Sequence, residues 1–289
     1  MSRNFLILLF TISILGVELG RAESPGLLER IPLTKASMLQ WKLPKRLREI
    51  SGLALTHDGR LLAIEDEEAI IYELDYQDGH IRKAFAVGDP TLKGDYEGIA
   101  VADGLVYVTD SDGSVLLFAE GGNGSRVTYE QFDTGLGELC EIEGLATSLD
   151  QSRLLFACKA LRDKSQLDAL TVFAFDIEQR TVVDSESLTL PESEIEELLE
   201  TGRIAPSGIA VDPTTGNLVL ITARKKAIIE LTSSGKLLAA REFPARKRHY
   251  QPEGIEIPTD NRLLISDEGG KHKGRLAIYG QDEVDSSNE

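Results

Sequence analysis

At 289 residues, 42% of them hydrophobic and 27% charged, the chain is long enough to bury a core without disulfide or metal staples. Acidic residues outnumber basic ones 48 to 31, and a net charge of −17 argues against general binding to DNA or RNA, whose phosphates such a surface repels. Aromatic residues are sparse, with one Trp at position 41, which argues against a long stacking groove for sugars or single strands.

Arg3 precedes an uncharged, largely apolar run from Phe5 to Val17, followed by Gly20-Arg21-Ala22, a small-x-small cleavage signal. This is the layout of a secretory signal peptide over residues 1–22. The run is shorter than the roughly 17–25 residues that span a bilayer. The alternative is an uncleaved segment anchoring the protein to the inner membrane. Export predicts a periplasmic or secreted protein. Residues 23–30 read as a linker.

From there the chain repeats. A polar residue, a glycine and alternating apolar residues recur as Ser51-Gly52-Leu53-Ala54, Glu97-Gly98-Ile99-Ala100, Glu143-Gly144-Leu145-Ala146, Ser207-Gly208-Ile209-Ala210 and Glu253-Gly254-Ile255-Glu256. The glycines are 46, 46, 64 and 46 residues apart. Within each unit a turn leads to a second apolar strand (Leu61–Ile64, Leu105–Val108, Leu154–Ala157, Leu218–Ile221, Leu263–Ile265). A third follows (Ile70–Leu74, Val115–Phe118, Val172–Phe175, Ile228–Leu231, Leu276–Tyr279), and a weaker fourth, such as Ile81–Val87. Short strands and turns at a period near 46 predict an all-β fold, a five-bladed β-propeller over residues 31–281. The long unit carries a polar loop at Arg162–Asp168 and an acidic amphipathic stretch, Pro191–Gly202, read as one short helix between blades three and four. The fifth unit ends after its third strand, and the acidic tail 282–289 cannot supply a fourth. The segment Ile31–Gln40 can, closing the ring from the other terminus.

In a propeller the first strand of each blade lines the axis. Ser51, Glu97, Glu143, Ser207 and Glu253 are therefore predicted to ring one mouth of the channel, each with a side-chain oxygen. Three carboxylates facing one another raise each other's pKa, and a hard divalent cation relieves the conflict. Calcium, with its 6–8 oxygen ligands, suits the set; zinc would want His or Cys. A solvated acidic funnel is the alternative. At the ends of the second strands stand Asp66, Asp110, Lys159, Ala223 and Asp267, where Asp66, Asp110 and Asp267 add ligand-binding oxygens or serve as turn residues. On the same face lie basic clusters at Lys42/Lys45/Arg46/Arg48, Arg224/Lys225/Lys226, Arg246/Lys247/Arg248/His249 and Lys271/His272/Lys273. Arg224, Arg248 and His249 are expected to meet an anionic ligand that bridges cation and basic loops. Cys140 and Cys158 are a disulfide candidate in an oxidising compartment; two buried thiols are the alternative.

The runs Glu49-Ile50-Ser51-Gly52-Leu53, Asp95-Tyr96-Glu97-Gly98, Cys140-Glu141-Ile142-Glu143-Gly144, Cys158-Lys159, Pro206-Ser207-Gly208-Ile209, Gln251-Pro252-Glu253-Gly254 and Ile265-Ser266-Asp267-Glu268 resemble the SdiA-regulated (YjiK-like) family. The resemblance implies a five-bladed propeller, a calcium site and an N-terminal export or membrane segment. It marks Glu97, Glu143 and Glu253 as metal ligands, while Ser51 and Ser207 interrupt the carboxylate series. More distantly the chain is similar to NHL-repeat, paraoxonase-like and phytase-like propellers.

Two functions follow as expectations. The first is a calcium-binding, monomeric binding or scaffold protein of the cell envelope, with an anionic small molecule or envelope component as partner. The second is a calcium-dependent hydrolase of lactones or phosphoesters, in which His249 or Asp267 moves protons. No Gly-x-Ser-x-Gly elbow is present, and the four histidines (57, 80, 249, 272) are scattered.

Overall fold

Alternating apolar residues bounded by turns build five antiparallel sheets in the computed structural model, which describes residues 24–163, 169–199, 204–244 and 246–280. The expected signal peptide, the acidic tail and most of the polar loop at Arg162–Asp168 lie outside the described residues. Blade one comprises Ile50–Leu55, Leu61–Glu65, Ile70–Asp75 and His80–Val87, with a short strand, Arg126–Val127, added parallel to its outer edge. Blade two comprises Tyr96–Ala102, Leu105–Asp110, Ser114–Ala119 and Glu130–Asp133. In blade three, Cys140–Thr147, Arg153–Leu161 and Ala169–Asp176 are followed by two short strands, Thr181–Val182 and Leu188–Pro191, both on the third. Blade four is Gly208–Val211, Leu218–Thr222, Ala227–Leu231 and Leu237–Glu242.

Blade five takes Pro252–Glu256, Leu263–Asp267 and Arg275–Tyr279, and its fourth strand is Leu39–Lys42, antiparallel to Arg275–Tyr279. Of the expected segment Ile31–Gln40, only Leu39 and Gln40 lie in that strand; upstream the chain turns at Ser37, whose backbone N–H bonds to the Thr34 hydroxyl. Blades five and one meet directly. Glu256 Oε1 accepts the Leu55 N–H at 3.1 Å, and Leu53 packs in one apolar cluster with Leu264, Leu276 and Ile278.

Residues 27–30, expected within a linker, are a helical turn packed on the propeller. The buried Glu230 carboxylate accepts the N–H groups of Leu27 (2.7 Å) and Leu28 (2.9 Å), and Arg30 forms a bidentate pair with Asp212. Leu27 and Leu28 are sealed against Val219, Ile228 and Ile255. Apolar burial extends the folded unit upstream of residue 31. The helix between blades three and four is Glu192–Glu196, with Ile195 buried against the blade-three and blade-four core.

Candidate functional site

The ring residues converge through an irregularity repeated in the strands that carry them. Ser51 stands between the pairs Ile50↔Glu65 and Gly52↔Ile64, so two residues on the inner strand face one on its neighbour. Glu97 lies in the same kind of step, between Tyr96↔Asp110 and Gly98↔Thr109. So does Glu253, between Pro252↔Asp267 and Gly254↔Ser266. Glu143 lies in the break between Ile142↔Cys158 and Leu145↔Phe156. In blade four the ladder starts only at Gly208, just after Ser207. A β-bulge re-aims the extra residue, here toward the axis. The following glycine lets adjacent blades approach: a Cβ on Gly208 would lie 2.2 Å from the Glu253 carbonyl oxygen. Below the ring, Leu53, Ile99, Leu145, Ile209 and Ile255 fill the axis, leaving about 10 Å³. The mouth is a cup with an apolar floor.

That cup is a cavity of about 410 Å³ lined by all five ring residues. Six carboxylates face it, those of Glu49, Asp66, Glu97, Glu143, Glu253 and Glu268, against two cations, Lys159 and Arg224. Burial, then repulsion from Glu143 and Asp95, raises Glu97 to about 9. Burial and the Glu49 charge raise Asp66 to about 7. Glu253 is pushed well above the usual carboxylate range by burial and by Glu143. Burial also raises Glu143, although Lys159 opposes the shift. Burial works against the charge on Lys159, but its bonds to Glu143 and, at 2.9 Å, Glu141 hold the ammonium above its usual range. Ser51 Oγ and Asp66 Oδ1 are buried with no hydrogen-bond partner. Ser207 donates its hydroxyl to the Pro252 carbonyl at 2.6 Å.

The second-strand positions have different fates. Asp66 lines the cup; Asp110 folds back on its own turn, accepting the N–H groups of Asp112 and Ser114 at 3.1 and 2.9 Å. Asp267 and His249 are fully buried behind the mouth, in contact with each other at 2.9 Å. Arg224 lines the cup, whereas Arg248 lines a separate groove with Lys35, Arg246 and Lys247. Cys140 and Cys158 form a disulfide tying the first two strands of blade three, beside Glu141, Glu143 and Lys159. Glu49, Tyr250, Gln251 and Glu268 also line the cup and were missed by sequence reasoning. For Lys159 a signal existed: it is the lone cation in a series otherwise of Asp and Ala, and it follows Cys158.

Residues 178–283, spanning the end of blade three and all of blades four and five except its N-terminal strand, match the model of the SdiA-regulated family. Over those 106 of its 289 residues the chain is similar to the SdiA-regulated family. The motifs of the first three blades that carry the same resemblance lie outside the matched stretch. No curated protein matches the chain. Similar solved structures include glutaminyl cyclase from Myxococcus xanthus, 12% identical over 86% of this chain and 96% of that one, with a TM-score of 0.55. Luciferin-regenerating enzyme is 13% identical over 84% and 95%, with a TM-score of 0.52. A protein of unknown function from Bacteroides thetaiotaomicron is 14% identical over 80% and 59%, with a TM-score of 0.50. At these identities the likeness is one of fold alone.

Proposed function

We propose that this SdiA-regulated propeller is an exported binding protein of the cell envelope whose mouth takes up calcium and, through it, an anionic ligand. The observation that carries the reading is the charge imbalance of the cup: six carboxylates against two cations in about 410 Å³. Without a further cation some of these carboxylates must keep protons at neutral pH, as the upward shift of Glu97 requires. The donor set fits a hard cation. All donors are oxygens, and the buried Ser51 Oγ and Asp66 Oδ1 have no partner. As the side chains stand, no three acidic or His/Cys groups among the described residues are arranged around an ion, and Lys159 holds Glu143. Glu97, Glu143 and Glu253 with Ser51 would supply the ligands. Glu141 would keep Lys159 when Glu143 turns to the ion. Bound calcium would supply a positive anchor for an anion at the rim, where Arg224 has no carboxylate partner among the described residues.

The disulfide and the predicted signal peptide support an oxidising, extracytoplasmic setting. The hydrolase reading drew on His249 and Asp267 to move protons, and both are sealed in blade five, so no observation favours it.

The test is the metal content of the purified protein together with its melting temperature. Calcium should co-purify, EDTA should lower Tm, added calcium should restore it, and Glu253→Gln should remove the response. A metal-free protein whose Tm ignores both EDTA and calcium would sink the reading.

A further inference from the structure

Beside the acidic cup lies a second cavity of opposite character, about 680 Å³ in volume. Lys42, Lys45, Arg48, Lys271, Lys273 and Arg275 line it, with Tyr250 and His272, and no carboxylate does. On a chain with net charge −17, six converging cations without a lining acid are conspicuous. Several cations elsewhere are paired, Arg82 with Asp75, Arg153 with Glu186 and Arg262 with Asp260. Here Arg48 reaches out of the groove to Glu49 on the cup (2.6 Å), and Arg275 bonds the Tyr250 hydroxyl and the Arg248 carbonyl. Lys42, Lys45, Lys271 and Lys273 have no ion pair among the described residues.

Two features make this a built groove. Its walls are pinned by main chain: Leu43 N–H donates to the Gly274 carbonyl at 2.8 Å and Gly269 N–H to the Arg48 carbonyl at 2.7 Å. The segments bearing the two lysine pairs are thereby fixed against each other. A Cβ on Gly274 would sit 2.1 Å from the Leu47 carbonyl oxygen, so the approach needs glycine. Second, Lys42 stands directly opposite Arg275 in the strand pair. Like charges in that position destabilise a sheet, and nothing on the groove neutralises them.

We propose that this groove binds an oligophosphate, a ligand carrying two or three phosphate groups. Near neutral pH a terminal phosphate carries up to about two charges and a bridging one a single charge, so a triphosphate would bring about four to five negative charges to the groove. Lysine ammonium groups act as mobile point charges for them, and the Arg275 guanidinium stacked 3.8 Å from the centre of the Tyr250 ring gives one fixed donor. The groove is independent of metal in the cup, although Tyr250 lines both cavities.

Calorimetric titration with tripolyphosphate, in EDTA so that the cup is metal-free, tests this. Binding should appear, weaken steeply with salt, and exceed that of orthophosphate at least tenfold. The double variant Lys271→Gln/Lys273→Gln should weaken it about a hundredfold or more, on the scale of two lost charge-assisted contacts. Lys42→Gln should weaken it too, yet raise the Tm of the ligand-free protein by relieving the pair with Arg275. Vesicles of phosphatidylglycerol form the second arm; lysine-dependent binding to them without binding to free tripolyphosphate overturns the oligophosphate in favour of an anionic lipid surface. Binding to neither probe, or binding that the lysine variants leave unchanged while the calcium response persists, overturns the proposal. Loss of the calcium response alone counts only against the cup.

Discussion

Asp66 and Asp267 stand one residue apart in register at the ends of the second strands of neighbouring blades: Asp267 faces Pro252, the residue before Glu253, whereas Glu65 faces Ile50 and Asp66 follows it. Asp66 faces the cup, has one oxygen without a partner, and is raised to about 7 by burial and by the carboxylates around it. Asp267 is enclosed with an imidazole. Burial holds the Tyr279 phenol protonated, so its O–H donates to His249 Nε2 (2.7 Å), and Nδ1–H then donates to Asp267 Oδ2 (2.9 Å). Phe243 stacks on the ring at 4.5 Å. One carboxylate is surrounded by like charge; the other has a donor on Oδ2, while its Oδ1, like Asp66 Oδ1, is buried with no partner. Lys159 in blade three is a third outcome, a cation bonded to Glu143. A step of one residue in register turns a side chain to the other side of the strand, and what enters from the adjoining loop decides which partner it meets there.

The sharpest way to break this comparison is to remove the satisfied partner. His249→Ala strips a buried carboxylate of its hydrogen bond and should cost about 3–5 kcal/mol in urea unfolding. The calcium response of the cup should survive at temperatures where the variant is folded. A change below 1 kcal/mol would mean that Asp267 draws little from the imidazole. Next in size is the disulfide, which closes a loop between positions 18 apart. Reducing it, or Cys140→Ser/Cys158→Ser, should cost about 3 kcal/mol by loop-closure entropy. It should also loosen the two strands that present Glu143 and Lys159, visible as faster amide exchange in blade three than in blade five.

The contrast also shows what the sequence carries. The five blades were legible because the repeat is covalent: evenly spaced glycines mark sites where backbones crowd, as at Gly208. The ring residues were legible for the same reason, since Ser51, Glu97, Glu143, Ser207 and Glu253 are equivalent and all line the cup. The fate of His249 was not. It sits in a run of basic residues that reads as an exposed loop, and only the fold turns it under Phe243 and Tyr279. Nor was the origin of the fourth strand of blade five fully placed, because Leu39–Lys42 is defined by its partner Arg275–Tyr279 rather than by its own short pattern. The groove on that joint was legible only in part: Lys42/Lys45 and Lys271/Lys273, over 200 residues apart, were placed on one face by the repeat, but that they line one cavity while Arg224 and Arg248 line others comes from the fold.

A pH titration of stability sharpens the acidic side. Glu97 has an ordinary value of 4.5 and a folded value of about 9. Between those values the folded state binds the extra proton, so raising the pH destabilises it. The metal-free protein should therefore lose stability from about pH 5 to pH 9, in contrast to a carboxylate held low by a salt bridge. Glu97→Gln should flatten the slope, and saturating calcium should do the same in the unaltered protein. A slope of the opposite sign would show that the cup is neutralised by groups other than protons.

The smallest effect belongs to Asp66 itself. With a value near 7 in the metal-free protein, it must release a proton before it can serve a cation. Calcium affinity should rise through the range of Asp66, between pH 6 and pH 8, and go on rising toward the value of about 9 at Glu97. Asp66→Asn removes that charge without leaving an unpaired buried ion, so the metal-free Tm at pH 8 should hold or rise slightly. Calcium affinity at pH 8 should fall about tenfold or more, on the scale of one contact to a charge, and by less at pH 6, where the native side chain is mostly protonated. Equal losses at both pH values would mean that Asp66 acts through its shape rather than its charge. A fall in metal-free Tm matching that of His249→Ala would erase the distinction between the two aspartates.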